Sequence, residues 1–450
     1  MPAIAASQFA PPFMISGVAV ALPALGSDLA AGATALSLVE TVFLAAAVAL
    51  LLPAGRLADA SDKATLYKLG MVTFALSSLL VGLVSSVPAI LCLRFVQGIT
   101  SAAVQAAGPA IIADAVPPER RGKAYGITIG AVYAGLTLGP ICAGFLVDLW
   151  GWRAVFLFGG ALVLVLLIPI HLMLPASWRR PPEGAVHLPS TLLAVAAMLV
   201  LVGGAATLRQ GATGYGAMAL GLALLAAFVL WQRRVAQPLL NVDLLMKNIV
   251  LRGALLVQWL LYCNAFGSVF MLSLYMQTVL GHSANTAGQV LAIGTLLMAA
   301  VAPVAGILSD RYRAGLIASC GVALVLVAAL MALGLGGGSH LLHVGLVLAV
   351  QGLGFAFFSS PNMTMVMNAV PPERAGIASA LSAGARSLGM VSGMLIVGAL
   401  ISLNLGHDPV GADPDRLVAT MHASFWILAA LTALALALSL PASFRGRLGA

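Results

Sequence analysis

Two ionisable residues, Glu40 and Arg94, lie inside long apolar stretches of the sequence. A carboxyl group can take up and release a proton, and a nearby guanidinium group stabilises its charged form. Ionisable side chains are costly in apolar surroundings, so each one is a candidate functional residue. The remaining acidic residues lie in predicted loops or at predicted helix ends. Glu40 and Arg94 are therefore candidates for proton chemistry.

Arg386 is a third ionisable residue of this kind. It lies about ten residues into the apolar stretch at 375–402, which is close to the middle of a helix that spans a membrane. We expect its side chain to face the protein interior, where it either donates hydrogen bonds to helix carbonyl groups or binds an anionic substrate group. The sequence leaves both roles open.

The composition decides what kind of structure positions these residues. The chain has 450 residues, of which 61% are apolar and 8% are charged, whereas soluble domains carry about 25% charged residues. The runs 253–309 and 314–372 contain no Asp, Glu, Lys or Arg. Because about 20 apolar residues cross a bilayer, each run is long enough for two helices. The sequence predicts an all-α integral membrane protein and argues against a large soluble helical core.

Proline, glycine and charge clusters divide the chain into fourteen predicted transmembrane helices. The predicted spans are 9–26, 35–56, 65–86, 88–113, 123–147, 154–174, 189–208, 214–231, 250–278, 285–308, 314–334, 341–361, 375–402 and 420–440.

The basic residues predict the orientation of these helices. With the N-terminus inside, 17 of the 22 Lys and Arg residues lie in cytoplasmic loops or helix ends and three lie outside, as the positive-inside rule requires. Both termini are then cytoplasmic. No Lys or Arg precedes Arg56, so we expect the first apolar stretch to be a retained helix and not a cleaved signal peptide.

This orientation gives Glu40 and Arg94 a similar depth. Glu40 lies roughly 7–8 Å below the outer end of the second helix, and Arg94 lies roughly 9 Å below that of the fourth. An ion pair between them is predicted. The alternative, a solvated Glu40 at the level of the lipid headgroups, remains open at this point.

An internal repeat divides the chain. The string AVPPER occurs at 115–120 and at 369–374, and PAGRLAD at 53–59 resembles VAGILSD at 304–310. Two similar halves are typical of secondary transporters. The predicted division is a six-helix bundle at 1–185, a two-helix insert at 186–237 and a second six-helix bundle at 238–450, with the two bundles pseudo-symmetric.

Several other functions lack their sequence motifs. There is no G-x-x-x-x-G-K-[ST] phosphate loop and no G-x-S-x-G nucleophile elbow, so neither an ATP-driven pump nor a hydrolase is expected. The basic residues form short clusters between apolar runs, which does not indicate a nucleic-acid partner. We expect no cofactor. His340 and His343 could suggest a metal site, but they adjoin a GGGS turn, which indicates an outer hairpin, so we expect no metal either.

The motifs resemble those of the major facilitator superfamily, and within it the fourteen-helix drug:proton antiporters. GRLADASDKATLY (55–67) is similar to the loop between its second and third helices, LRFVQGITSAA (93–103) to its fourth-helix motif, and GLTLGPICAGFLVD (135–148) to its antiporter motif. VALPALGSDL (20–29) and LSLYMQTVLGHSANTAG (272–288) fit the fourteen-helix branch. The resemblance covers essentially the whole chain.

Three departures from the family pattern bear on function. The loop motif retains only Lys63 of its usual basic residues, and the antiporter motif ends in Ala143-Gly144 instead of Gly-Gly. Met14 stands where the branch often has the first-helix Asp that is credited with proton coupling.

The resemblance implies three groups of site residues. Asp59, Lys63 and Asp114 would form a latch at the inner gate. Gly135, Gly139, Pro140 and Gly144 would form the antiporter motif. The substrate cavity, lined by the first and fourth helices of each half, would include Met14, Gln97, Gln105, Gln258, Tyr262, Asn264, Phe266, Gln351, Phe355, Phe358 and Arg386.

The predicted function is export of amphipathic organic compounds by proton antiport, carried out by a monomer in a bacterial inner membrane. Glu40 and Arg94 are the candidate proton-coupling residues. A facilitator or metabolite exporter without proton coupling is the alternative, and Met14 favours it. A membrane scaffold or sensor that has lost transport is a third possibility, against which the polar residues of the central helices argue.

The latch leads to a first prediction. Asp59→Asn should impair transport without preventing membrane insertion, because it removes the carboxylate that would bind Lys63. Export by cells with matched amounts of membrane-inserted protein measures this, and the charge reversal Asp59→Lys with Lys63→Asp should restore part of the activity. Full activity of Asp59→Asn would contradict the latch.

Overall fold

The computed structural model describes residues 7–115, 118–173, 187–235, 238–239, 242–371, 375–406, 408 and 413–444. Throughout these ranges the regular structure is helical. Fourteen of the described helices are long and apolar enough to cross a membrane, which confirms the predicted all-α membrane protein and its number of spans. The order of the helices follows the order of the apolar runs.

We number these helices α1 (Ala10–Asp28), α2 (Ala33–Ala60), α3 (Lys63–Leu83), α4 (Val87–Ala115), α5 (Pro118–Trp150), α6 (Trp152–Met173), α7 (Leu188–Ala206), α8 (Ala212–Gln232), α9 (Ile249–Thr278), α10 (Ala284–Arg311), α11 (Ala314–Ala332), α12 (Leu341–Asn368), α13 (Ala375–Asn404) and α14 (Pro414–Phe444).

Proline explains where some observed bounds differ from the predicted ones. Helix α12 was predicted to end at Pro361, but it continues to Asn368 with this proline inside it. Neighbouring helices and local adjustments satisfy the backbone groups that a proline leaves free in a membrane helix. Helices α5 and α14 begin several residues earlier than predicted, at Pro118 and Pro414, because a first-turn proline needs no N–H partner.

The start of α14 also has a side-chain cap. The backbone N–H of Arg416 donates to Asp413 Oδ1 at 3.0 Å, which satisfies one of the free amide groups of the first turn. The two AVPPER strings include residues 116–117 and 372–374, which lie outside the described residues. Their predicted role as paired elbows stays a prediction.

The chain forms two compact units. Unit 1 consists of Met1–Asn241, Ser283–Gly288 and Ile401–Pro409, and unit 2 of Val242–His282, Gln289–Leu400 and Val410–Ala450. Within unit 1, α7 packs on α8 and on α2. The predicted boundaries near 185 and 237 lie at residues outside the described ranges, so the three-part division stays a prediction.

Within unit 1, α2 and α4 approach each other closely at Gly98. A Cβ atom on Gly98 would overlap the Phe43 carbonyl oxygen and would lie 2.6 Å from Ala46 Cβ. Small residues allow such close backbone approach between membrane helices. The contact lies about one turn from Arg94 on α4, so it fixes the spacing of the two helices that carry Glu40 and Arg94.

Substitution of this glycine tests the packing. Gly98→Ala should destabilise the protein by about 1–3 kcal/mol, the usual effect of overpacking, because the Phe43 carbonyl group belongs to a helix backbone and cannot turn away. Thermal unfolding in detergent should show a lower Tm. The matched control is Gly130→Ala on α5, since no atom lies within 4 Å of a Cβ there. Equal Tm values for the two variants would contradict the close approach.

Candidate functional site

Glu40 and Arg94 form a buried ion pair between α2 and α4. Arg94 Nη2 lies 3.2 Å from Glu40 Oε2, and the exposed fractions of the two residues are 0% and 3%. Each residue lies seven positions after the start of its helix, about 10 Å along the helix axis. The burial of Glu40 excludes the solvated alternative for this structure.

Arg94 has three further partners in the same cluster. Its Nε donates to the Val39 carbonyl group at 2.9 Å, and its Nη1 donates to Gln97 Oε1 at 3.0 Å. Its Cζ lies 4.3 Å from the centre of the Phe43 ring, a favourable position for a cation above an aromatic face. The guanidinium group therefore keeps several contacts that do not depend on Glu40.

Two polar atoms of this cluster have no hydrogen-bond partner among the described residues, namely Glu40 Oε1 and Gln97 Nε2. A buried polar atom without a partner usually costs about 1–3 kcal/mol. One of these atoms is an acceptor and the other is a donor. Glu40 thus has a free carboxylate oxygen at which a proton could bind without displacing Arg94.

Chemically, the cluster couples charge to helix contact. In the ionised state the carboxylate of α2 attracts the guanidinium group of α4 in surroundings of low dielectric constant, where the attraction is strong. Addition of a proton to Glu40 removes that attraction and leaves Arg94 charged. The arrangement can therefore convert proton binding into a change in the adhesion between two helices.

Met14 lies in the interior of unit 1. Its side chain has no exposed surface and packs against Gly159 of α6, where a Cβ atom would overlap the Met14 sulfur. This packing differs from the expectation that Met14 lines a cavity. The reason is the glycine, whose missing side chain leaves room for the long methionine between α1 and α6.

Gln97 also differs from its predicted cavity role. It is fully buried and its amide oxygen is bound to Arg94. The signal for this contact was present in the string RFVQG, because residues three apart on a helix are neighbours. Gln105 is half-buried and donates to Ser101 Oγ at 2.9 Å.

In unit 2, Gln258 occupies the centre of a buried amide network. Its Oε1 accepts hydrogen bonds from Asn362 Nδ2 at 3.2 Å and from Ser382 Oγ at 3.0 Å. Its Nε2 donates to the Ser382 carbonyl group at 3.2 Å. These bonds join α9, α12 and α13. The sequence prediction missed Asn362 and Ser382, because small polar residues are common in apolar helices and carry little signal of their own.

A second network of unit 2 surrounds Asn264 on α9. Its Oδ1 accepts from Gln351 Nε2 and from Ser268 Oγ, each at 3.0 Å, and its Nδ2 donates to Thr432 Oγ1 at 3.0 Å. Asn264 and Gln351 are buried. Since both polar groups of the Asn264 side chain are bound, this network holds α9, α12 and α14 together in this structure.

The predicted aromatic residues of unit 2 fall into two groups. Tyr262 and Phe355 contact each other edge to face, with ring centres 5.3 Å apart. Phe355 and Phe358 are buried, whereas Tyr262, Phe266 and Arg386 are half-buried. The half-buried residues keep accessible surface on α9 and α13 and stay candidates for substrate contact.

The residues predicted as an antiporter motif pack against other helices in unit 1. A Cβ atom on Gly135 would overlap the Phe9 carbonyl oxygen, and one on Gly139 would overlap Ser16 Oγ on α1. A Cβ atom on Gly144 would overlap the Ala284 carbonyl oxygen, and one on Gly288 would overlap the Pro140 carbonyl oxygen. The motif therefore gives α5 a surface of small residues for close helix contact.

The predicted latch falls partly outside the described side chains. Lys63 is half-buried at the start of α3, beside the Asp62 cap of that helix. Asp59 and Asp114 belong to the last turns of α2 and α4, but their side chains are not among those described. The latch stays a prediction.

Comparison with known proteins identifies relatives across the chain. The family model of the Major Facilitator Superfamily matches residues 4–394 and 254–447. The riboflavin transporter RibZ of Clostridioides difficile is 25% identical over 93% of this chain and 92% of its own. The tetracenomycin C resistance and export protein of Streptomyces glaucescens is 28% identical, over 86% of this chain and 73% of its own.

Further comparisons agree with these matches. The multidrug efflux pump LfrA of Mycolicibacterium smegmatis is 29% identical over 89% of this chain and 80% of its own. Among solved structures, a POT family transporter in complex with 5-aminolevulinic acid superposes with a TM-score of 0.71, at 14% identity, over 98% of this chain and 96% of that chain. At that identity the likeness concerns the fold alone.

The Asn264 network gives a prediction about stability. Asn264→Leu should lower the stability of the protein by about 1–3 kcal/mol, because Gln351 Nε2 would be left buried without its acceptor. Thermal unfolding in detergent measures the loss as a lower Tm. Ser268→Ala removes only one donor to the same oxygen and should have a smaller effect. An unchanged Tm for Asn264→Leu would be incompatible with the network.

Proposed function

Because the chain belongs to the Major Facilitator Superfamily of transporters, we propose that it exports amphipathic organic compounds by proton antiport with alternating access. The buried ion pair of Glu40 and Arg94 is the observation that carries this proposal. It is a titratable pair inside the apolar part of unit 1, and intramembrane carboxylates are typical of proton relays.

The proton would bind at Glu40. In the ionised state Glu40 and Arg94 hold α2 and α4 together, and a proton on the free oxygen Oε1 converts the carboxylate to a neutral acid. Arg94 then remains bound to Val39 and Gln97. Release of the proton on the opposite side restores the ion pair, and this alternation gives the transporter two states that differ in charge at one site.

The substrate class follows from the relatives and from the half-buried residues. Two relatives are described as a tetracenomycin C export protein and a multidrug efflux pump, and a third as a riboflavin transporter. Two of these names state an organic compound, and the remaining one states drugs in general. Tyr262 and Phe266 on α9 offer aromatic contacts for such compounds, and Arg386 on α13 offers a positive charge.

Met14 favours a second candidate function, a facilitator or metabolite exporter without proton coupling. An apolar side chain stands where the branch often has its coupling acid, and it is packed against Gly159. If the acid has been lost without replacement, transport follows the substrate gradient alone. A pH gradient distinguishes the two functions, because only the antiporter accumulates substrate in response to it.

We propose further that the protein is a monomer in a bacterial inner membrane with both termini in the cytoplasm. The excess of Lys and Arg in the predicted inner loops, 17 residues against three, supports this orientation. Under it the ion pair lies in the outer half of the membrane, at a depth of about 10 Å. Protons from the outside would reach Glu40 by the shorter path.

Glu40→Gln should abolish pH-driven export and leave substrate exchange at equal pH intact, because the amide cannot bind and release a proton. The measurement uses inside-out membrane vesicles with an acidic lumen and either riboflavin or tetracenomycin C outside. Wild-type protein should accumulate one of these compounds in the lumen. Vesicles with Glu40→Gln should accumulate none, yet should exchange labelled for unlabelled compound when both sides have the same pH.

Asp28→Asn is the control for loss of an acidic residue. Asp28 lies at the end of α1, where it accepts a hydrogen bond from Trp152 Nε1 at 3.0 Å and pairs with Arg153, and it has no recorded contact with the buried pair. This variant should retain pH-driven accumulation. Accumulation by Glu40→Gln at the wild-type level would remove Glu40 from the mechanism, and a wild-type protein that ignores the pH gradient would favour the facilitator.

A further inference from the structure

Gln97 lies on the same face of α4 as Arg94 and is bound to it. The two residues are three positions apart, and Arg94 Nη1 donates to Gln97 Oε1 at 3.0 Å while Nη2 donates to Glu40 Oε2 at 3.2 Å. All three side chains are buried. The guanidinium group is therefore shared between a carboxylate on α2 and a neutral amide on α4.

This sharing limits how strongly Arg94 can stabilise the Glu40 carboxylate. A guanidinium group can bind both oxygens of a carboxylate through parallel hydrogen bonds, which is the strongest geometry. Here the second oxygen, Glu40 Oε1, has no partner among the described residues, while the recorded hydrogen bond of Nη1 goes to Gln97 Oε1. Gln97 thus holds the ion pair in a weaker form with one hydrogen bond.

We propose that Gln97 is a positioning residue that sets the pH at which Glu40 exchanges its proton, by holding one edge of the Arg94 guanidinium group away from the carboxylate. The same contact keeps Arg94 in place after Glu40 becomes neutral, together with the Val39 carbonyl group. This role rests on the proposed proton antiport. It assigns Gln97 to the coupling cluster and not to the substrate cavity.

Other charged groups of the neighbouring helices lie away from the pair. Helix α2 packs on α1, α3, α4 and α7, and α7 contains no ionisable residue. Besides the pair, helices α1 to α4 contain eight ionisable residues: Asp28, Arg56, Asp59, Lys63, Tyr67, Lys68, Cys92 and Asp114. Cys92 lies on α4 two residues before Arg94 and is exposed. Among the described side chains, Arg94 is the charged group that contacts Glu40.

Two substitutions of Gln97 should change the stability of the ionised form of Glu40 in opposite directions. Gln97→Met keeps the length of the side chain but removes the acceptor, so Nη1 becomes free to bind Glu40 Oε1 and the carboxylate is stabilised. Gln97→Glu adds a second carboxylate that competes for Arg94, and two like charges at one site disfavour ionisation of both.

The experiment measures the initial rate of riboflavin or tetracenomycin C accumulation in inside-out vesicles over a series of lumen pH values at a fixed outside pH. The midpoint of this profile should move by about one pH unit towards acid for Gln97→Met and by about one unit towards alkali for Gln97→Glu, the size expected from a change of one hydrogen bond to a charged group. A purely structural role would lower the rate without moving the midpoint.

Thr100→Val is the matched control on α4. Thr100 donates only to backbone carbonyl groups of its own helix, so its loss should leave the midpoint unchanged. If one Gln97 variant does not fold, the shift of the other decides the question, since each has its own predicted direction.

The outcomes separate this inference from the proposed function. If the wild type responds to the pH gradient and Glu40→Gln does not, proton antiport stands, and unchanged midpoints in the Gln97 variants then overturn the role of Gln97 alone. If the wild type ignores the gradient or Glu40→Gln still responds, the proposed function fails and the role of Gln97 fails with it. Shifts in the two predicted directions support both.

Discussion

Arg94 carries a positive charge and has no exposed surface, so its guanidinium group has to find its partners inside the protein. A buried charge that loses its partner destabilises a protein by several kcal/mol. The carboxylate of Glu40, the Val39 carbonyl group, the Gln97 amide and the Phe43 ring meet this requirement together. The close contact of α2 with α4 brings them within reach, so packing and electrostatics depend on each other here.

The buried polar clusters of the two units differ in their chemistry. In unit 1 the central cluster is charged and contains a titratable acid. In unit 2 the networks around Gln258 and Asn264 consist of amides and hydroxyl groups, which do not change their charge with pH. The titratable cluster that the proposed proton antiport needs therefore lies in unit 1, while the networks of unit 2 hold helices together.

The position of the acid is a further constraint. Met14 fills the space beside Gly159 on α6, whereas Glu40 lies on α2 and faces Arg94. An acid at the position of Met14 would lie between α1 and α6, whereas Glu40 lies between α2 and α4. A change of charge at the two positions would therefore act on different pairs of helices. In this structure the ion pair joins α2 to α4, and Gln97 binds Arg94 from within α4.

The sequence by itself determined the fourteen helices, because long apolar runs can satisfy their backbone hydrogen bonds in a membrane only as helices. It also predicted a pairing of Glu40 with Arg94 from their similar depth, but it left a solvated Glu40 open, and only the structure excluded that alternative. Only the tertiary structure decided the contacts of Gln97 and Met14 and the partners of Asn264. Those depend on which helix faces meet and how closely, and glycines such as Gly98 set that spacing without any periodicity that a sequence pattern would reveal.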